Sequence, residues 1–176
     1  MTVYAQEKLI AQARQLAAEY RRTMGKPLPG ISTEIAEFDA MRLLGLEPRD
    51  AGGEGGYDAV DPGRGNKRIQ IKARTIFDEE KGGQRVGQLK LGQEWDSVIL
   101  VLMDESYEPY EIYEADRADL EDFVDQSSSS RAKRGALSVA ATGLRRSRRT
   151  HRRTNREHPR PAQARRAGAT RRPPRG

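Results

Sequence analysis

Asp58, Gln70 and Lys72 are the residues whose types and spacing suggest chemistry, with Glu34 upstream as a fourth. Folded together, a carboxylate, an amide oxygen and an ammonium make a candidate site for a hard divalent cation, which prefers oxygen ligands. Other routes are closed by composition. The chain has no cysteine, which excludes disulfides, thiolate zinc sites and cysteine nucleophiles. Its two histidines, His151 and His158, both lie near the C-terminus, so a Ser-His-Asp triad or a histidine metal cluster has no place in the body. Residues 50–56, DAGGEGG, are glycine-rich but lack the GK[ST] of a phosphate-cradling loop.

Positioning these groups requires a hairpin and a helix. Residues 55–74 carry two short runs about Asp61-Pro62-Gly63-Arg64-Gly65-Asn66, a cluster of turn residues that predicts a β-hairpin. In the second run Ile69, Ile71 and Ala73 fall on one face and Arg68, Gln70, Lys72 and Arg74 on the other, because strand side chains repeat every second residue. In the first run Asp58 and Val60 are expected to share a face opposite Tyr57 and Ala59. The pairing would set Asp58 beside Ile69 and Gln70.

Glu34 falls in a helix predicted from Ser32, as N-cap, to Leu44, with Gly45 as its stop. Between Phe38 and Met41 in projection, it is expected to point along a mostly apolar side. An ordinary first-turn acid favouring the helix dipole is the competing interpretation. For Asp58, Gln70 and Lys72 the competing interpretation is a cross-strand polar cluster on a solvated face.

The remaining elements frame a single α/β domain over residues 1–139. Leu9, Ala13, Leu16, Tyr20 and Met24 recur at three- and four-residue steps, predicting an amphipathic helix over 4–24 that either packs on the core or serves as a dimerising arm. Ser97 to Met103, SVILVLM, reads as a strand buried on both faces. After Pro109, Tyr110 to Tyr113 predict another strand, and Asp116 caps a helix from Arg117 to about Val124. The order predicts a mixed central sheet flanked by helices, with an extra N-terminal helix. No apolar run approaches the ~18 residues of a membrane span, and the N-terminus lacks a signal-peptide core; the expectation is a cytoplasmic protein without membrane contact.

Charge divides the chain. Residues 1–130 hold 16 Lys and Arg against 25 Asp and Glu, a net of −9, whereas residues 131–176 hold 16 against 1, a net of +15. The body alone does not advertise a nucleic-acid surface. Residues 140–176, with Leu144 as their only large aliphatic residue from Ala141 onward, are too poor in apolar side chains to offset ordering entropy and are expected to be disordered. Two interpretations stand side by side: an electrostatic arm for phosphate backbones, or a GC-rich gene read in a shifted frame.

Glu34 on a helix, Asp58 after Gly-Tyr, and Gln70-Ile71-Lys72 on the next strand resemble the PD-(D/E)xK, restriction-endonuclease-like nuclease superfamily, in the QxK form of Mrr-type enzymes. The runs GISTEIAEFDAMRLLGLE, GYDAVDP, QIKAR, EWDSVILVLMDESYEPYEIYEADR and RGALSV look like a bacterial family of uncharacterised domains thought to share that core. Two positions depart from the superfamily pattern: Tyr57 stands where Pro usually precedes the Asp, and Gln70 replaces an acid. The resemblance implies hydrolysis of DNA phosphodiester bonds with Mg²⁺ or Mn²⁺. In that scheme Asp58, Gln70, the Ile71 carbonyl and Glu34 hold the ion, Lys72 serves the nucleophile, and Arg74, Gln84 and Arg85 touch phosphates. A catalytically inactive binding module or complex subunit on the same fold is the alternative, as is a nucleic-acid binder acting through its tail. A homodimer would suit an enzyme that cuts both strands.

Overall fold

A computed structural model describes residues 3–50, 55–78, 85–89, 92–126, 136–138 and 145–146. Three helices, α1 (Val3–Met24), α2 (Ile31–Leu44) and α3 (Arg117–Gln126), accompany eight strands: β1 (Glu47–Pro48), β2 (Ala59–Asp61), β3 (Lys67–Thr75), β4 (Arg85–Gln88), β5 (Ser97–Met103), β6 (Pro109–Asp116), β7 (Ala136–Ser138) and β8 (Arg145–Arg146). Six strands form a mixed sheet in the order β1-β2-β3-β5-β6-β8, and β4 pairs with β7 separately. β2 and β3 are antiparallel, β3 and β5 parallel, β5 and β6 antiparallel. The expected α/β architecture is present. No helix among the described residues is long and apolar enough to cross a membrane.

The hairpin closes as its turn residues dictate. Asp61 accepts a hydrogen bond from the Gly63 amide (3.0 Å), Pro62–Arg64 form one 3₁₀ turn, and Gly65 and Asn66 take the left-handed conformation, with φ of 66° and 58°. Glycine adopts that region without steric cost, and asparagine is among the few side chains that visit it. Gly45 likewise ends α2 in a left-handed C-cap whose amide donates to the Met41 carbonyl.

Strand alternation then sorts the core into two layers. Ile69 and Ile71 with Ile99, Val101 and Met103 pack beneath α2 and part of α1, and Ala73 joins them. The opposite residues of β5, Val98, Leu100 and Leu102, pack with Trp95 and with Leu120 of α3. All seven residues of β5 are buried, as a strand covered on both faces should be.

Some local expectations fail. α2 starts at Ile31 after Gly30, with no side-chain cap; Ser32 lies inside the helix, its hydroxyl 3.5 Å from that of Thr75. β6 begins at Pro109 and continues to Asp116, past the expected Tyr110 to Tyr113; α3 starts at Arg117 as expected, and the Asp116 carboxylate meets Lys67. Tyr57 and Ala59 do not share a face: the chain bends at Asp58, so Ala59 joins the α2-side layer while Tyr57 packs against the other. Arg145–Arg146, within the stretch expected to be disordered, pair with β6 as Tyr113↔Arg146 and Glu114↔Arg145. Backbone pairing at a sheet edge needs no apolar side chain, which is why composition did not show it.

Candidate functional site

The hairpin delivers Asp58 to the edge of β3. Its amide donates to the Ile69 carbonyl (2.8 Å), its carbonyl accepts from the Arg49 amide (3.2 Å), and its Oδ2 accepts from the Ile71 amide (2.7 Å). That last bond takes the place of a ladder bond, because β2 begins only at Ala59, opposite Ile69. A strand residue turns its N–H and C=O toward the same neighbour. The Ile71 carbonyl therefore faces the same edge, just beyond the start of β2.

Gln70 projects from the other face of β3 and is completely buried. Its Nε2 donates to the Gly56 carbonyl at 2.6 Å, which fixes the orientation of the amide, since a carbonyl can only accept. Its Oε1 is a buried acceptor without a partner among the described residues. Such an atom costs roughly 1–3 kcal/mol unless water or an ion meets it. The loop over it is firmly placed. The Gly56 amide donates to the Glu94 carbonyl (3.3 Å), Arg49 donates to the Gly55 carbonyl (3.1 Å), and its guanidinium lies 5.8 Å from the Tyr57 ring centre. Gly55, at φ 144°, leaves no room for a side chain: a Cβ there would stand 2.8 Å from the Tyr57 ring.

Lys72 and Arg74 follow Gln70 on the same face, both half-buried, beside Leu100 and Leu102 of β5. Below them Arg68 binds both oxygens of Asp96, and its hydrogen bonds and charge hold the Asp96 carboxyl below its ordinary range.

Glu34 is not brought to this place. It is exposed, on the side of α2 opposite Ile35, Ala36, Asp39 and Ala40, which are the buried ones. α2 itself covers the Ile69 and Ile71 face, so the helix and the sheet separate Glu34 from Gln70 and Lys72. The inward-pointing expectation fails because Phe38 and Met41 are only half-buried; the stripe that packs runs a third of a turn or more away. Gln84 lies outside the described residues, and Arg85 is placed in β4 with its side chain undescribed.

A further acid of α2, Glu37, is half-buried where Glu34 is exposed. Ser32 meets Thr75, so α2 runs back along β3. At 1.5 Å per helical residue and about 3.3 Å per strand residue, Glu37 comes level with Ala73 and Lys72. Arg14 of α1 grips Asp39, and the half-buried Glu37 lies on the opposite flank of α2. The signal was present in the heptad-like run Ile35, Ala36, Asp39, Ala40 had those residues been taken as the packed stripe.

The candidate donors along this part of β3 are all oxygens: the Asp58 carboxylate, the Ile71 carbonyl and Gln70 Oε1, which has no partner among the described residues. That set suits Mg²⁺ or Mn²⁺ and no softer metal. Among the described residues no three His, Cys, Asp or Glu side chains come together. A cation here would thus rest on one carboxylate, neutral oxygens and water. No protein-family model matches this chain, and no curated protein is significantly similar to it.

Proposed function

We propose that this chain is a metal-dependent nuclease that hydrolyses DNA phosphodiester bonds at the β3 edge. One observation carries the reading: the Asp58 carboxylate is held by the amide of Ile71, the neighbour in sequence of Gln70, whose buried Oε1 has no partner among the described residues, and Lys72 follows Gln70 on its face of β3. Asp58, Gln70 Oε1 and the Ile71 carbonyl would hold Mg²⁺ or Mn²⁺, without Glu34, which is turned to solvent. The bound ion supplies neutralisation of the scissile phosphate and a lowered pKa for water in the site. Lys72 orients the nucleophile or takes its proton, and Arg74 meets a flanking phosphate oxygen.

A second reading has a specific observation behind it. Gln70 is neutral and wholly buried, and a lone carboxylate binds a divalent ion weakly, as befits a nuclease-fold module that binds without cutting. Cleavage of plasmid and single-stranded DNA by the full chain with Mg²⁺ or Mn²⁺ separates the two. The enzyme reading expects activity that falls at least about 10²-fold in Asp58→Ala and Lys72→Ala. A folded wild-type chain inert on both substrates with both metals selects the binding module.

A further inference from the structure

The acidity of the body is concentrated. Between Asp104 and Gln126 lie ten acids and a single basic residue, Arg117, so that stretch alone accounts for the net −9 of residues 1–130. It comprises the β5–β6 turn, β6 and α3. Glu105, Asp119, Glu121 and Asp122 are exposed and Glu111 is half-buried.

The same region already receives the start of the basic segment. β8, Arg145–Arg146, is hydrogen-bonded along β6 in antiparallel register, Glu114 opposite Arg145 and Tyr113 opposite Arg146. β6 runs toward Asp116 and β8 is antiparallel to it, so a strand continued past Arg146 in the same register would pass Glu111 and approach the turn at Asp104–Glu108. Continuing the register by two residues sets Arg148 opposite Glu111. Opposite charges directly across a ladder are a favourable pair.

We propose that the outer edge of β6, with the acidic β5–β6 turn, is the docking surface for this chain's own arginine-rich segment, beginning at Ser147 and extending β8. The occupant is fixed by direction, register and charge: thirteen arginines and one acid follow Leu144. The contact is electrostatic, so salt weakens it. It also keeps the arginines from other polyanions until one competes for them. The inference does not rest on nuclease activity.

The cysteine-free chain permits a direct test on the full-length protein. A nitroxide on Thr150→Cys should broaden the amide signals of Asp104–Ile112 in low salt and leave those of β1 and the hairpin tip sharp. The broadening should fade toward 1 M salt, where screening acts over about 3 Å. It should weaken at low salt in Glu105→Gln/Glu111→Gln, whose spectrum reports whether the fold is kept. Broadening spread evenly over the surface, centred on another face, or indifferent to the Gln substitutions would overturn the proposal.

Discussion

Two polar groups are buried on opposite sides of the sheet, and they are treated differently. On the α1/α2 side Arg14 donates to both oxygens of the wholly buried Asp39 at 2.6 Å and to the Tyr107 carbonyl, with Glu108 3.6 Å from its Nε. Burial pushes the Asp39 carboxyl up, while the hydrogen bond and charge of Arg14 pull it back. Both Asp39 oxygens are met there, although the nearby Tyr107 hydroxyl is, like Gln70 Oε1, buried with no partner among the described residues. On the other side Gln70 spends its donor on Gly56 and leaves its acceptor open. A buried acceptor left open is costly whichever side of the sheet it lies on.

The neighbouring strand sharpens the contrast. β3 and β5 lie parallel, with Gln70 level with Val98 and Lys72 level with Leu100. β5 is apolar on both faces, so nothing in the architecture required an amide and an ammonium at those positions of β3.

Breaking the closed group should have the largest effect on stability. Arg14→Met leaves Asp39 buried without its partner and should cost about 3–5 kcal/mol in urea unfolding at neutral pH. Ile71→Ala, on the packed face of β3, should cost about 2–5 kcal/mol through lost burial and the cavity it leaves. Gln70→Met, one residue away, should change stability by less than about 1.5 kcal/mol, because the lost bond to Gly56 is offset by removing the open acceptor. Under the proposed metal site, Mg²⁺ should raise the melting temperature of the wild-type chain and leave that of Gln70→Met unchanged. An equal Mg²⁺ response in both would show that Gln70 closes no ligand shell. The smallest effect is confined to acid. Asp96 is held below its ordinary value of 3.8 chiefly by Arg68, so its stabilisation is present above that value and is lost as pH falls through the lowered one. Asp96→Asn should flatten that part of the stability profile and leave the region below it unchanged.

Glu34 and Glu37 show where reading the sequence stopped. α2 carries apolar residues nearly all round, Ile35, Phe38, Met41, Leu43 and Leu44 among them, so its own pattern did not choose which side meets the sheet. The choice was made by α1, whose Arg14 reaches Asp39 and turns Glu34 to solvent. Tyr57 is similar, since a bend at Asp58 interrupts the alternation on which its face was assigned.

By itself the sequence determined the elements and the sorting of β3. A two-residue period allows only one division of Ile69, Ile71 and Ala73 from Gln70, Lys72 and Arg74, and the turn residues at Asp61–Asn66 allow only a hairpin between the runs. Tertiary structure alone decided which helix flank faces the edge, that Asp58 replaces a ladder carbonyl, that Gln70 keeps an open oxygen, and that Arg145–Arg146 extend the sheet. Those features depend on contacts between residues distant in the chain, and local periodicity carries no information about them.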